Sequence, residues 1–232
     1  MTKSTCIWQL TSAQVSGPNF LLLYNMNMNT LIDNFNEVEK LLDFSSPDEF
    51  YFLEIIRRRK DFSTPNEDIL GQQVLATYCV KNLEQLQRLK NEIITLCEFH
   101  HARAYINLNP KSMKKTGILM MNKLLKMVEN DDFHKINACF ASAAGECNGI
   151  KDRKRFVIDI DSSDESVKTE ILDVIHSLNV EIISVLPTPN GCHIIAKPFD
   201  CLKFMSAIPQ KFEDIVEIKH NSPTVLYFKK DA

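Results

Sequence analysis

Asp159 and Asp161 stand two residues apart in Phe156-Val157-Ile158-Asp159-Ile160-Asp161. Apolar residues alternate with acids here, which predicts a strand. Side chains on a strand leave alternate faces, so both carboxylates leave one face while Phe156, Ile158 and Ile160 leave the other. Two acids side by side repel each other, and a fold has no structural need of them. A divalent cation removes the repulsion, because Mg²⁺ or Mn²⁺ takes hard oxygen ligands, often one or two carboxylates plus substrate phosphates. Two further segments offer matching groups: His193 just after the Asn190-Gly191 turn, and Glu217 with Lys219 alternating with Val216 and Ile218. Together these acids, the histidine and the lysine have the composition of a metal-nucleotide site.

The elements that must position them are well patterned in the C-terminal third. Arg155 to Asp161 is the first strand. Ser162 with Glu165 reads as a capping box opening a helix with Val167, Ile171, Val174, Ile175 and Leu178 on its core face. Val180 to Leu186 is a strand, Pro187 to Gly191 a turn, and Cys192 to Phe199 the returning arm of a hairpin. Asp200 caps a helix running to about Lys211, Asp214 to His220 is another strand, and Thr224 to Phe228 a short last one. The order β-α-β-β-α-β is the ferredoxin-like or RNA-recognition-like plan. It sets the first and third strands side by side and the fourth against the first. Asp159, Asp161, His193 and Glu217 then converge on one exposed sheet face, with Lys219 one pleat further along.

Towards the N-terminus, Phe20 to Tyr24 is strand-like, and Met28 to Leu42 carries a helical stripe of Leu31, Phe35, Val38, Leu41 and Leu42. Phe50 to Ile56 reads as a strand entering the basic run Arg57-Arg58-Arg59-Lys60, which suits template phosphates or an exposed turn equally. A loop with Pro65, Asn66 and Gly71 leads to a strand at Gln73 to Val80. A helix follows from Leu83 to Phe99, then a strand from Ala102 to Leu108, with Arg103, Tyr105 and Asn107 on one side, where they could reach a nucleotide if a cleft lies there. Ser112 to Val128 is a basic amphipathic helix, and Lys111, Lys114, Lys115, Lys123 and Lys126 read as its solvated side. The module junction is placed between Glu129 and Asp152. The expectation is therefore an α+β chain, with an N-terminal α/β module (residues 1–150) packed on a C-terminal RNA-recognition-like module (residues 151–232) with an antiparallel sheet.

Composition excludes other classes. With 44% hydrophobic and 25% charged residues, the 232-residue chain is not disordered. A net charge of −3 argues against electrostatic coating of nucleic acid, leaving room for a local basic groove. No apolar run approaches the roughly 20 residues of a membrane span. The N-terminus lacks a signal-peptide layout, so a cytoplasmic protein is expected. Seven scattered cysteines fit reduced thiols. None has the paired C-x-x-C spacing of a zinc site, and no Walker-type or dinucleotide-type glycine loop occurs.

The acids and histidine resemble the catalytic signature of archaeo-eukaryotic primases and the related primase-polymerases. The family's first motif, two hydrophobic residues followed by D-h-D/E, is matched by Val157-Ile158-Asp159-Ile160-Asp161. Its small-x-His motif is matched by Gly191-Cys192-His193, and its third, a carboxylate on a strand, by Glu217 within Val216-Glu217-Ile218. The motif resemblance covers about residues 155 to 220, and the architecture extends back to about residue 50. It implies that Asp159, Asp161 and Glu217 hold two divalent metals for in-line phosphoryl displacement. It also implies that His193 contacts the incoming triphosphate, with Lys219 neutralising charge there. Glu217 stands where aspartate is the usual choice. The implied partners are nucleoside triphosphates and a single-stranded or primed template, with a helicase as a possible accessory and no membrane.

Two rivals use the same residues differently. A metal-dependent nuclease or replication-initiator-like protein of the nicking kind would want a tyrosine nucleophile or a His-x-His pair, and these strands carry neither. A non-catalytic nucleic-acid-binding module would want aromatics on the exposed face of the first and third strands. That face holds Asp159, Asp161 and His193.

Overall fold

A computed structural model describes residues 31–61, 72–147 and 153–230. The expected strand at Phe20 to Tyr24, the loop with Pro65, Asn66 and Gly71, and the module boundary at 150/151 lie outside these residues. In chain order the elements are β1 (Leu31–Asp33), α1 (Phe35–Leu41), β2 (Glu49–Arg58), β3 (Gln72–Val80), α2 (Leu83–His100), β4 (Arg103–Ile106) and β5 (Lys111–Ser112). Then come α3 (Met113–Glu129), α4 (Cys139–Glu146), β6 (Phe156–Ile160), α5 (Glu165–Ser177), β7 (Ile182–Pro187), β8 (Cys192–Ala196), α6 (Cys201–Ala207), β9 (Val216–Lys219) and β10 (Thr224–Lys229). The described chain is α+β, with two antiparallel sheets and six α-helices. None of these helices is long and apolar enough to cross a membrane.

The second sheet has the order β7-β8-β6-β9, so β8 and β9 flank the acid-bearing strand. Ile158, Ile160 and Ile194 point from it into a core with Ile171 and Ile175 of α5 and Phe204 of α6, all 0% exposed. Each such side chain contributes about 1.5–3 kcal/mol on leaving water. The opposite face, expected to be exposed, is partly covered. Val157, Leu186 and Ile195 pack into the core of the first sheet, beside Leu53, Ile55, Ala104 and Leu226. Along β6 this face changes from buried Val157, through Asp159 with 19% of its side chain exposed, to exposed Asp161. The two sheets therefore touch over their apolar ends and part over the acids.

The first sheet runs β1-β10-β4-β2-β3, with β5 paired to the start of β2. The chain's last strand thus sits between β1 and β4, not beside β9. Thr224, Val225, Leu226, Tyr227 and Phe228 are all buried, the pattern of a central strand covered on both faces. Because β10 recruits β1, the helix expected from Met28 begins only at Phe35. Asn34 donates its side-chain amide to the Val225 carbonyl (2.8 Å) and the Pro187 carbonyl (3.0 Å), fastening the β1–α1 corner to β10 and to the β7–β8 hairpin.

The crossing from β9 to β10 is held by buried polar side chains. Asn107 donates to the Asn221 carbonyl at 2.7 Å, and Asn109 to the His220 carbonyl at 3.2 Å. Lys111 donates to the Asn221 side chain at 2.9 Å and the Cys147 carbonyl at 2.8 Å. Lys111 is fully buried, not on a solvated helix face, and burial pulls its ammonium down to about 8. Asn107 belongs to this clamp and does not line the cleft between the sheets.

Caps differ in detail from the expected ones. Asp164, not Ser162, caps α5 by accepting the Ser166 N–H at 2.8 Å, while Ser162 accepts the Asp164 N–H. Asp200 caps α6 as expected, and α6 stops at Ala207 because Pro209 disfavours helix in the residue before it.

Candidate active site

Asp159 is the centre of a row. In register it stands directly opposite His193 on β8 and Glu217 on β9. His193 Nε2 lies 3.2 Å from Asp159 Oδ1, and Lys219 Nζ lies 2.6 Å from Oδ2 and 3.2 Å from Glu217 Oε2. Burial opposes ionisation of Asp159, but the hydrogen bonds and charges of His193 and Lys219 outweigh it and hold the carboxyl down to about 2. Burial likewise works against the Lys219 ammonium, and its bonds to Asp159 and Glu217 outweigh that and push its pKa upward.

His193 is 6% exposed, and its other ring nitrogen, Nδ1, is 2.8 Å from the Thr224 hydroxyl of β10. Both ring nitrogens are thus engaged, and the imidazole positions Asp159 between the two sheets. A triphosphate contact from this ring would require it to give up one of these two partners. Thr224 escaped the sequence reading because nothing local reveals that β10 crosses to the other sheet.

The small residue before His193 has a visible cause. A Cβ on Gly191 would lie 1.9 Å from the Ile160 carbonyl oxygen and 2.8 Å from the Ser162 nitrogen. The hairpin turn therefore rests directly on the backbone that carries Asp161. Cys192 points into the core on the opposite face, where burial pushes its thiol up to about 12, so it is no nucleophile.

Where the sheets part lies a cleft of about 430 Å³. The second sheet lines it with Asp159, Asp161, His193, Glu217 and Lys219, and the first with Arg58, Gln72, Arg103 and Tyr105. Asp159, Asp161, His193, Glu217, Lys219, Arg103 and Tyr105 all reach this one cleft, whereas Asn107 does not, and they differ in what they can still do. Arg103 is spent: its Nε donates to Asp61 Oδ2 at 2.8 Å, its Nη2 to the other oxygen, and its guanidinium lies 4.4 Å from the Phe228 ring centre. It forms a buried floor. Arg58 takes the outward role, donating to the Tyr105 hydroxyl at 2.7 Å, with no carboxylate paired to it among the described residues. The sequence marked it only as one member of a basic run.

Three carboxylates on one sheet face are the hard-oxygen donors that Mg²⁺ or Mn²⁺ takes, and two of them already share one cation, the Lys219 ammonium. As the side chains stand, no group of three acid, histidine or cysteine residues among the described residues converges closely enough to hold a metal ion. The donor types are those a divalent cation takes, and the Lys219 ammonium lies between two of them. Comparison with protein-family models, with curated proteins and with solved structures found no match for this chain.

Two expected outcomes follow from these contacts. The Asp159 carboxyl titrates near 2 in the folded chain against 3.8 unperturbed, so its contribution to stability is complete above about pH 4 and is lost as pH falls towards 2. The amount is about 2 kcal/mol. Denaturant unfolding at stepwise lower pH should show that loss in the native protein, and a flatter profile in Asp159→Asn. Separately, Asp61→Asn leaves the Arg103 guanidinium buried against a neutral amide. It should cost about 2 kcal/mol in the same measurement at pH 7.

Proposed function

We propose that this chain is a template-dependent nucleotidyltransferase of the primase-polymerase kind, using Mg²⁺ or Mn²⁺ at Asp159, Asp161 and Glu217. In this reading the second sheet with α5 and α6 is an RNA-recognition-like catalytic module and the first sheet belongs to an N-terminal α/β module. One observation carries it: acids, a lysine and an arginine from two different sheets face each other across a single cleft. A stacking platform for bases would need aromatics on the second sheet, and acids stand there instead.

Each residue has a task set by its contacts. His193, held by Thr224, fixes the rotamer of Asp159 and keeps one of its oxygens occupied. Asp159 stays ionised at any working pH, ready to share a cation with Glu217 and Asp161. The bound cation would activate the attacking 3′-hydroxyl and steady the leaving pyrophosphate. Arg58 brings positive charge to the phosphates from the opposite wall, and Tyr105, held by Arg58 through its hydroxyl, is placed to contact sugar or base.

The test is incubation with Mn²⁺ or Mg²⁺, labelled nucleotides and a primed or unprimed single-stranded template, beside the Asp159→Ala/Asp161→Ala double variant. Product that requires the intact carboxylates supports the reading. Absence of product with either metal, together with absence of triphosphate binding by calorimetry, overturns it. Carboxylate-dependent shortening of the template would assign the acids to a nuclease.

A further inference from the structure

We propose that Lys219 is a built-in stand-in for the divalent cation, so that the protein takes up its metal together with a triphosphate and not alone. This rests on the nucleotidyltransferase reading and adds to it an order of binding. The ammonium sits 2.6 Å from Asp159 Oδ2 and 3.2 Å from Glu217 Oε2, between the carboxylates a metal would use. The other oxygen of Asp159 is held by His193 at 3.2 Å. A metal that binds Asp159 must therefore displace Lys219 or His193. His193 is buried and pinned by Thr224, whereas Lys219 is a flexible four-carbon stem with 25% of its side chain exposed. The lysine is the group that yields.

Displacement has different consequences with and without a nucleotide. In the empty cleft the released ammonium loses both carboxylates, stays half-buried and faces an incoming dication of like charge, which is unfavourable at short range. With a triphosphate present, phosphate oxygens replace the lost partners and the lysine turns to them within the same cleft. Metal and triphosphate thus assist each other through Lys219, and such a coupling is reciprocal: each raises the affinity of the other by the same factor. In the absence of nucleotide, Lys219 also relieves the repulsion among the acids that the sequence pattern builds in.

The experiment is titration of Mn²⁺ into the protein, followed by electron paramagnetic resonance of free Mn²⁺, alone and with a non-hydrolysable nucleoside triphosphate. Native protein is compared with Lys219→Met, which keeps length without charge, and with Lys219→Gln, which keeps a donor to Asp159. Both variants are expected to bind Mn²⁺ alone at least about ten-fold more tightly than the native protein. The triphosphate should raise Mn²⁺ affinity strongly in the native protein and much less in the variants. Their melting temperatures should fall in chelator and recover with Mn²⁺. Equal or weaker Mn²⁺ binding by both variants, with the native protein still binding Mn²⁺, overturns the stand-in role and leaves the metal reading intact. No Mn²⁺ binding by any of the three proteins, with or without triphosphate, overturns both.

Discussion

Asp159→Ala is expected to reduce nucleotide incorporation by about a thousandfold or more, while leaving a folded but weakened protein. Cation-assisted stabilisation of transition-state charge is worth several kcal/mol, and about 4 kcal/mol is a thousandfold in rate. The structural part comes from what is left behind. Lys219 and His193 both direct their nitrogens at the missing carboxylate, and breaking a buried pair from one side costs about 3 kcal/mol. Asp159→Asn separates the two effects. It keeps the shape and an acceptor oxygen and gives up only the contribution of the charge, so unfolding at pH 7 should shift by about 2 kcal/mol, with the same loss of incorporation. Denaturant midpoints and single-turnover rates on the two variants check both halves. Asp159→Asn with near-native incorporation would remove the carboxylate from the reaction.

Gly191→Ala is expected to be the most damaging small substitution outside the charged row. The added methyl would meet the Ile160 carbonyl at 1.9 Å and the Ser162 nitrogen at 2.8 Å, and both are backbone. No side-chain rotation relieves the contact. Either the hairpin lifts or the end of β6 moves, and both displace Asp161 from its place beside Asp159. A cost of about 3 kcal/mol is expected, with incorporation falling further than stability alone explains. Gly117→Ala is the control. Nothing lies within 4 Å of a Cβ there, and the residue is inside α3, so alanine should stabilise by about 0.5–1 kcal/mol. Equal denaturant midpoints for native and Gly191→Ala protein would contradict the packing account.

The residues gathered along one side of the cleft were legible because strand parity is a local property. Asp159, Asp161, His193 and Glu217 each alternate with core residues, and the observed register sets Asp159 opposite His193 and Glu217 in one row. What was not legible depends on partners far away in sequence. Leu31 to Asp33 fits a helical stripe, yet it pairs with β10, almost two hundred residues on, and becomes a strand. Thr224 to Phe228 reads as an optional last strand, yet it is central in the first sheet. For that reason the acidic face is partly covered, and His193 finds a buried partner in Thr224. Lys111 and Arg103 show the same limit for charged residues: each is paired inside the fold by groups that local pattern does not reveal.

In the proposed reading, two sheets hold one triphosphate between them. Calorimetric titration of a non-hydrolysable nucleoside triphosphate in Mn²⁺ tests it most directly, comparing the native protein with Arg58→Ala from the first sheet and Asp159→Ala from the second. Saturable one-to-one binding is expected for the native protein, weakened at least about ten-fold by either change. Binding that is lost in Asp159→Ala but untouched in Arg58→Ala would contradict a shared cleft, and no binding by the native protein would contradict the account as a whole.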